Sequence, residues 1–162
     1  MHEFVLGCLS CDIVAGKRME PGGVLYEDNY WHVGTAIGPV VWPGFLIVKL
    51  KRHCEHVGEL SQDEAASLGP ALHDTCAAVT SVFKPAKVYV CSFGDGVKHI
   101  HFWVLPRPQQ MRPGMHWVIL NLDVRLTLTR LGIKRWVRHD EEVVAWAEQL
   151  RRQLRELRML GG

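Results

Sequence analysis

Residues 98–107, with the sequence KHIHFWVLPR, constrain the fold of this chain more than any other segment. Their alternation is typical of a β-strand, in which successive side chains lie on opposite faces. One face is apolar and suits a protein core; it consists of Ile100, Phe102 and Val104. The other face carries His99, His101 and Trp103. Two imidazoles on one face of such a strand indicate metal binding, proton transfer or nucleophilic attack, and a pair of structural histidines is the open alternative.

Length, charge and cysteine content limit the class of protein. The 162 residues suffice for one domain with a hydrophobic core. The formal charge of +2 gives no general argument for nucleic-acid binding, and no apolar run approaches the roughly 18 residues that a membrane span needs. The five cysteines are an odd number, which favours a reducing compartment over a disulfide framework. We therefore expect a cytoplasmic protein that binds neither a membrane nor nucleic acid.

Strand patterns recur through the first two thirds of the chain. The predicted strands are residues 24–27, 30–36, 45–50, 87–92 and the histidine segment. A tight turn at residues 94–96 joins the last two, which should therefore be antiparallel neighbours. Pro106 cannot donate a hydrogen bond to a sheet, so we expect the last strand to end there.

Two helices are predicted between these strands. The first is short and covers residues 10–16. The second begins at a capping box formed by Ser61 and Glu64. Its apolar stripe has helical spacing and comprises Ala65, Leu68, Leu72, Cys76, Val79 and Phe83. Pro70 interrupts the pattern and should kink this helix or mark a boundary within it.

The pattern changes beyond Pro113. Residues 117–129 alternate between apolar and polar side chains, which predicts an extended segment. Asp140 is predicted to cap a final helix, which carries Val143, Val144, Trp146, Ala147, Leu150, Leu154 and Leu157. We therefore divide the chain into an α+β domain at residues 1–112 and a C-terminal extension at residues 113–162, packed on the same domain or on a dimer partner.

Cys8 and Cys11 have the spacing with which two thiolates bind one tetrahedral zinc ion. Candidates for two further ligands are His53 and His99, with His56 in reserve. A redox pair or two ordinary thiols are the alternatives, since a lone Cys-x-x-Cys is not specific.

Taken together, these segments resemble the histidine-triad (HIT) family of nucleotidyl hydrolases and transferases. The matching motifs are Cys8-x-x-Cys11-x-Ile13-Val14-x-Gly16, Tyr26-Glu27-Asp28, Pro43-Gly44-x-Leu46-Ile47-Val48, Lys51-x-His53 and His99-Ile100-His101-Phe102-Trp103-Val104-Leu105-Pro106-Arg107. The resemblance covers roughly residues 8–108. It implies an α+β fold with an antiparallel sheet of about five strands, one long helix packed on it, and a C-terminal extension that ends in a helix.

The resemblance also implies a mechanism and a metal. The middle histidine of the family motif, here His101, attacks the α-phosphate of a nucleotide derivative and forms a nucleotidyl-histidine intermediate. The backbone carbonyl of His99 holds the other nitrogen of that ring. A structural zinc ion is expected on Cys8, Cys11, His53 and His99. Family members commonly form homodimers, so we expect one here.

The chain departs from the family at positions that usually contact the nucleotide. Trp103 stands in place of the third histidine, and an indole cannot return a proton. Asp95 and Gly96 align with residues that contact phosphate, and Ala36 aligns with the acidic residue that contacts the ribose. The predicted catalytic residues are His101, His99 and Trp103. The predicted substrate-binding residues are Ile13, Ser92, Asp95, Gly96 and Trp103.

Three functions are compatible with this pattern. The first is a hydrolase or nucleotidyltransferase that acts on a nucleoside phosphoramidate or a dinucleoside polyphosphate through His101. The second is a repurposed fold that acts on a non-standard substrate. The third is a catalytically silent module that binds a nucleotide or a partner. The C-terminal extension suggests this function, because it could dock a partner.

Overall fold

A five-stranded antiparallel sheet forms the centre of the structure, a computed structural model that describes residues 4–37, 43–133 and 140–160. The strands are β1 (Tyr26–Glu27), β2 (Trp31–Thr35), β3 (Leu46–Leu50), β4 (Lys87–Cys91) and β5 (His101–Arg107). Their order is β1-β2-β3-β5-β4, and every neighbouring pair is antiparallel. The α+β class and the antiparallel pairing of the last two strands are confirmed.

Strand β5 differs from the predicted strand at both ends. It begins at His101, so His99 lies in the segment just before it, and it continues through Pro106 to Arg107. The prediction that Pro106 ends the strand is wrong. Pairing with β3 stops at Val104, and beyond that residue β5 has only β4 beside it. Pro106 thus lies where β5 is an edge, and a missing N–H on that side costs no ladder hydrogen bond.

Among the described residues, four α-helices lie around the sheet: α1 (Leu9–Val14), α2 (Gln62–Phe83), α3 (Met115–Arg130) and α4 (Asp140–Leu160). The predicted capping box is present at α2, since Ser61 and Glu64 exchange side-chain and backbone hydrogen bonds. Helix α2 is a single element through Pro70, so no boundary lies at that residue. The capping role predicted for the Asp140 side chain lies outside the described residues.

The prediction of an extended segment at residues 117–129 is wrong, because these residues belong to helix α3. Their apolar side chains satisfy the period of a strand and that of a helix at once. Val118 and Leu122 are buried and Ile119 and Leu126 half-buried, so the spacing of three and four residues is the one that packing uses. Leucine is also a strong helix former, which favours the observed structure.

Each face of the sheet packs against helices. On one face, a large cluster joins the sheet to α2 and α4; its α4 members are Val143, Trp146, Ala147, Leu150 and Leu154. On the other face, a smaller cluster joins the sheet to α3; its buried members are Ala36, Phe45, Leu105, Val118 and Leu122. The C-terminal helices therefore cover both faces of the sheet. Within the described part of the chain, no helix is both long and apolar enough to span a lipid bilayer.

Candidate active site and metal centre

Four metal-binding side chains meet at one end of β3 and β5. The ligand atoms of Cys8, Cys11, His53 and His99 all lie within 4.8 Å of one another. Nδ1 of His99 is 3.5 Å from Sγ of Cys8 and 3.6 Å from Sγ of Cys11. Nδ1 of His53 is 3.5 Å from Sγ of Cys11. The predicted ligand set is thus brought together, and His56 is not part of it.

The chain builds this cluster from three separate segments. The two cysteines come from the beginning of α1, and their spacing puts both on one turn. His53 follows β3, and His99 precedes β5, which is the antiparallel neighbour of β3. The end of one strand and the start of the other therefore bring the two histidines beside each other.

A hydrogen bond leaves one ring nitrogen of His99 free to bind a metal. Nε2 of His99 lies 2.8 Å from the carbonyl oxygen of Leu50, so this nitrogen carries the proton that is donated and Nδ1 is left with a free lone pair. Burial lowers the pKa of His99 to about 4, and the imidazole is neutral at pH 7. Two thiols and two imidazoles in a closed, largely buried group suit a structural zinc ion.

His101 is oriented for nucleophilic attack. Its Nδ1 lies 2.6 Å from the backbone carbonyl oxygen of His99 and donates a hydrogen bond to it. The second nitrogen, Nε2, then holds the lone pair. The side chain is 8% exposed and lines a cavity.

The cavity lies between the sheet, α1 and α3, and has a volume of about 390 Å³. Its apolar lining comprises Leu9, Ile13, Ala36, Ile37, Phe45, Ile47, Phe93, Val97, Trp103, Ile119, Leu122 and Leu126. The polar residues that line it are Ser10, Glu20, Thr35, Lys49, His101 and Asp123. An apolar chamber with a few polar groups is typical of a small-molecule site.

A buried network of charged residues reaches this cavity and was missed by the sequence analysis. Glu20 is 5% exposed; it accepts a hydrogen bond from Nε2 of His32 at 2.6 Å and forms an ion pair with Lys49. Burial opposes ionisation of Glu20, but the hydrogen bond from His32 and the charge of Lys49 outweigh it, and the pKa of this carboxyl is lowered. The available signal was Lys49, the one charged residue in the otherwise apolar strand Leu46–Leu50.

The predicted substrate-binding residues divide into two groups. Ile13 and Trp103 line the cavity. Ser92, Asp95 and Gly96 are exposed and do not line it. The role assigned to these three residues stays a prediction.

Trp103 forms one wall of the cavity. Its ring lies 5.2 Å from the ring of Phe45 and 5.1 Å from that of Phe93. Among the described residues, none accepts a hydrogen bond from its indole N–H. The observed contacts are therefore those of aromatic packing.

The fold has counterparts in known structures, one of which is zinc-bound. A zinc-bound histidine triad family protein from Mycobacterium smegmatis has a TM-score of 0.68 and 19% identity, with 96% of this chain and 98% of that chain covered. A hypothetical histidine triad nucleotide-binding protein from Sulfolobus tokodaii has a TM-score of 0.69 and 18% identity, with 93% of both chains covered. Diadenosine triphosphate hydrolase from Plasmodium falciparum has a TM-score of 0.60 and 14% identity, with 85% of this chain and 80% of that chain covered.

A comparison with curated proteins found no match. The sequence profile of the HIT domain, in contrast, matches residues 17–110, more than half of the 162 residues. The matched region contains the sheet, helix α2, and the strand that carries His101. The Mycobacterium smegmatis structure covers 96% of the chain and so also matches most of the C-terminal extension. The chain belongs to the HIT domain family.

Proposed function

We propose that this protein is a nucleotidyl hydrolase or transferase that acts on a nucleoside phosphoramidate or a dinucleoside polyphosphate. The observation that carries the proposal is the orientation of His101, whose Nδ1 is held by the carbonyl of His99 while its side chain lines the cavity. The likeness to a diadenosine triphosphate hydrolase supports the same class of substrate.

The chemistry is a double displacement at the α-phosphorus. Nε2 of neutral His101 forms a bond to phosphorus while the bond from phosphorus to the leaving group breaks. The leaving group takes the bonding electron pair and a proton from solvent. Water then attacks phosphorus, the P–Nε2 bond breaks with its electron pair returning to Nε2, and a proton is released. The products are a nucleoside monophosphate and the regenerated imidazole.

The carbonyl of His99 stabilises the intermediate. The nucleotidylated ring of His101 keeps its proton on Nδ1 and carries a positive charge. A carbonyl oxygen 2.6 Å away accepts a hydrogen bond that becomes stronger as this charge develops. His99 therefore acts through its backbone, and its side chain is left for the metal cluster.

A zinc ion would be held by Cys8, Cys11, His53 and His99, and it would supply structural stability rather than reactivity, because all four positions are taken by protein ligands. Ordering of His99 by this cluster would also order the carbonyl that binds His101. The predicted homodimer and the cytoplasmic location stay predictions.

A second candidate function is binding without catalysis. Trp103 favours it, because this residue occupies the third position of the triad and packs between Phe45 and Phe93. An indole there cannot donate a proton to a leaving group. In that case the cavity would bind a nucleotide and release it unchanged.

Incubation with adenosine 5′-phosphoramidate and with a dinucleoside polyphosphate tests the proposal. We expect release of AMP, and an added nucleotidyl mass on the intact protein after rapid quenching in alkaline denaturant, because a P–N bond to histidine is lost in acid. His101→Ala should abolish both. His73→Ala is the matched control, because His73 is exposed on α2 and does not line the cavity. Turnover that survives His101→Ala, or no turnover of either substrate, would refute the proposal.

A further inference from the structure

A buried ammonium group lies beside the nucleophile. Lys49 is 1% exposed and lines the same cavity as His101. The two residues are directly opposite each other in the β3–β5 ladder. Directly opposite residues of an antiparallel pair share one face of the sheet, so the two side chains are neighbours in the cavity wall.

The hydrogen bonds of this ammonium are not all satisfied by the protein. A lysine ammonium has three N–H donors. Within the described part of the chain, Lys49 has one acceptor, the Oε1 atom of Glu20. A buried charge with unused donors is costly unless something accepts from it. Ligand oxygen atoms in the cavity would satisfy these donors.

Glu20 does not compete with an anion for this position. Its Oε1 atom is bound by Lys49 and its Oε2 atom by His32, so both carboxylate oxygens are engaged within the network. Since Gly34 has no side chain, the Glu20 carboxylate packs directly against the backbone of β2 at this residue. Lys49 is therefore held in place on one side and has donors left for the other.

We infer that Lys49 is a substrate-contacting residue that donates hydrogen bonds to the anionic oxygens of the group that His101 attacks. The inference rests on the proposed function for the identity of that group, a nucleotide α-phosphate. A fixed cation lowers the repulsion between an anionic phosphoryl group and the incoming nucleophile, and it stabilises charge on those oxygens. Lys49 thereby supplies the cavity with a positive charge, which the indole of Trp103 cannot carry.

The inference is tested by calorimetric binding of AMP and of adenosine to the zinc-loaded protein. The two ligands differ only by the phosphate, so their affinity ratio reports the phosphate contact. We expect AMP to bind at least about tenfold more tightly than adenosine. Lys49→Met should reduce this ratio to near one. Lys51→Met also removes a positive charge, two residues further along the chain and outside the cavity lining, and should leave the ratio unchanged.

A second variant tests the charge on Lys49. Burial lowers the pKa of Lys49, and the charge and hydrogen bond of Glu20 oppose that effect, so Glu20→Gln should favour the neutral amine and reduce the preference for AMP. This variant decides the question if Lys49→Met does not fold, because without a Lys49 contact the loss of the Glu20 charge from the cavity lining would favour AMP. The inference is wrong if Lys49→Met keeps the wild-type ratio, or if Glu20→Gln raises it.

The binding experiment also separates this inference from the proposed function. Binding of AMP requires no turnover, so a catalytically silent protein still reports on Lys49. If wild-type protein binds neither AMP nor adenosine, inorganic phosphate is titrated into the same variants. Binding that depends on Lys49 supports the anion contact while the proposed function fails; no binding of phosphate to the wild type overturns both.

Discussion

His99 serves two parts of the site through two different groups of atoms. Its ring faces the thiols with Nδ1 and bonds to the carbonyl of Leu50 with Nε2, while its own carbonyl accepts from His101. A metal ion bound by the ring would restrict the backbone of the same residue. The orientation of the nucleophile and the integrity of the metal cluster are therefore coupled within one residue.

The position of Gly34 has no room for a side chain. A Cβ atom at this position would lie 1.9 Å from Oε2 of Glu20. We predict that Gly34→Ala displaces the Glu20 carboxylate and lowers the free energy of unfolding by about 1–3 kcal/mol, measured by urea denaturation. Gly58→Ala is the control, since a Cβ there meets nothing within 4 Å. Equal stability of Gly34→Ala and wild type would show that Glu20 relocates at no cost.

Helix α2 is held at its N-terminus by contacts beyond its capping box. Glu64 accepts from the backbone N–H of Ser61 at 2.8 Å and from Arg52 at 2.6 and 2.7 Å. The side chain thus joins the beginning of α2 to the segment that follows β3. Because His53 is the next residue after Arg52, this contact also anchors the chain beside the metal cluster.

Replacement of Glu64 should produce a pH-dependent loss of stability. Pairing with Arg52 and the bond from Ser61 outweigh the effect of burial and hold the pKa of Glu64 below its ordinary value of 4.5. A carboxyl with a lowered folded-state pKa stabilises the fold above the unfolded-state value, and this contribution is lost as the pH falls through the folded-state value. We predict that Glu64→Gln costs about 1–2 kcal/mol at pH 7.

Urea denaturation across pH 2–7 measures this effect. The difference between wild type and Glu64→Gln should shrink as the pH falls below about 4.5 and should vanish once the wild-type carboxyl is protonated. Glu142→Gln, an exposed position on α4, should show no such difference. A cost that is constant over the whole range would mean that the charge of Glu64 does not contribute.

Helices and strands were predicted correctly from the sequence where the spacing of apolar residues, or a cap, allows only one type of element. The strands and α2 carry a clear period or a capping box, and they were found within a few residues. Helix α3 was missed because Val118, Leu122 and Leu126 fit both periods, and only packing against the sheet distinguishes them. Glu20 was missed because its partner Lys49 lies 29 residues away. Lys49 in an otherwise apolar strand signals that a buried partner is needed, but which residue meets it depends on the fold.

The metal cluster connects distant parts of the chain. Cys11 lies 42 residues from His53 and 88 residues from His99 in sequence. Helix α1, which contains Cys11 and has Cys8 as its N-cap, also contributes Leu9, Ser10 and Ile13 to the wall of the cavity. A bound metal would therefore hold one wall of the cavity against the strands that carry the nucleophile.

Removal of the metal should accordingly destabilise the whole protein. Binding to the folded state alone, at about 1,000 times the dissociation constant, adds about 4 kcal/mol, which for a chain of this size corresponds to about 10 °C in Tm. We predict that a chelator lowers the Tm of the zinc-loaded protein by about this amount, and that one zinc per chain is released. Differential scanning calorimetry and metal analysis measure the two quantities.

Two cysteine variants identify the source of the effect. Cys11→Ser should have the low Tm without a chelator and should not respond to one, because it has lost a ligand of the cluster. Cys76→Ser should keep the response of the wild type, since Cys76 is a cysteine of α2 that lies outside the cluster. If the chelator leaves the wild-type Tm unchanged, or if Cys11→Ser responds as the wild type does, then Cys8, Cys11, His53 and His99 do not hold a stabilising metal. The order of His101 would then depend on its pairing with β3 and on the hydrogen bonds that join His101 to His99 and His99 to Leu50.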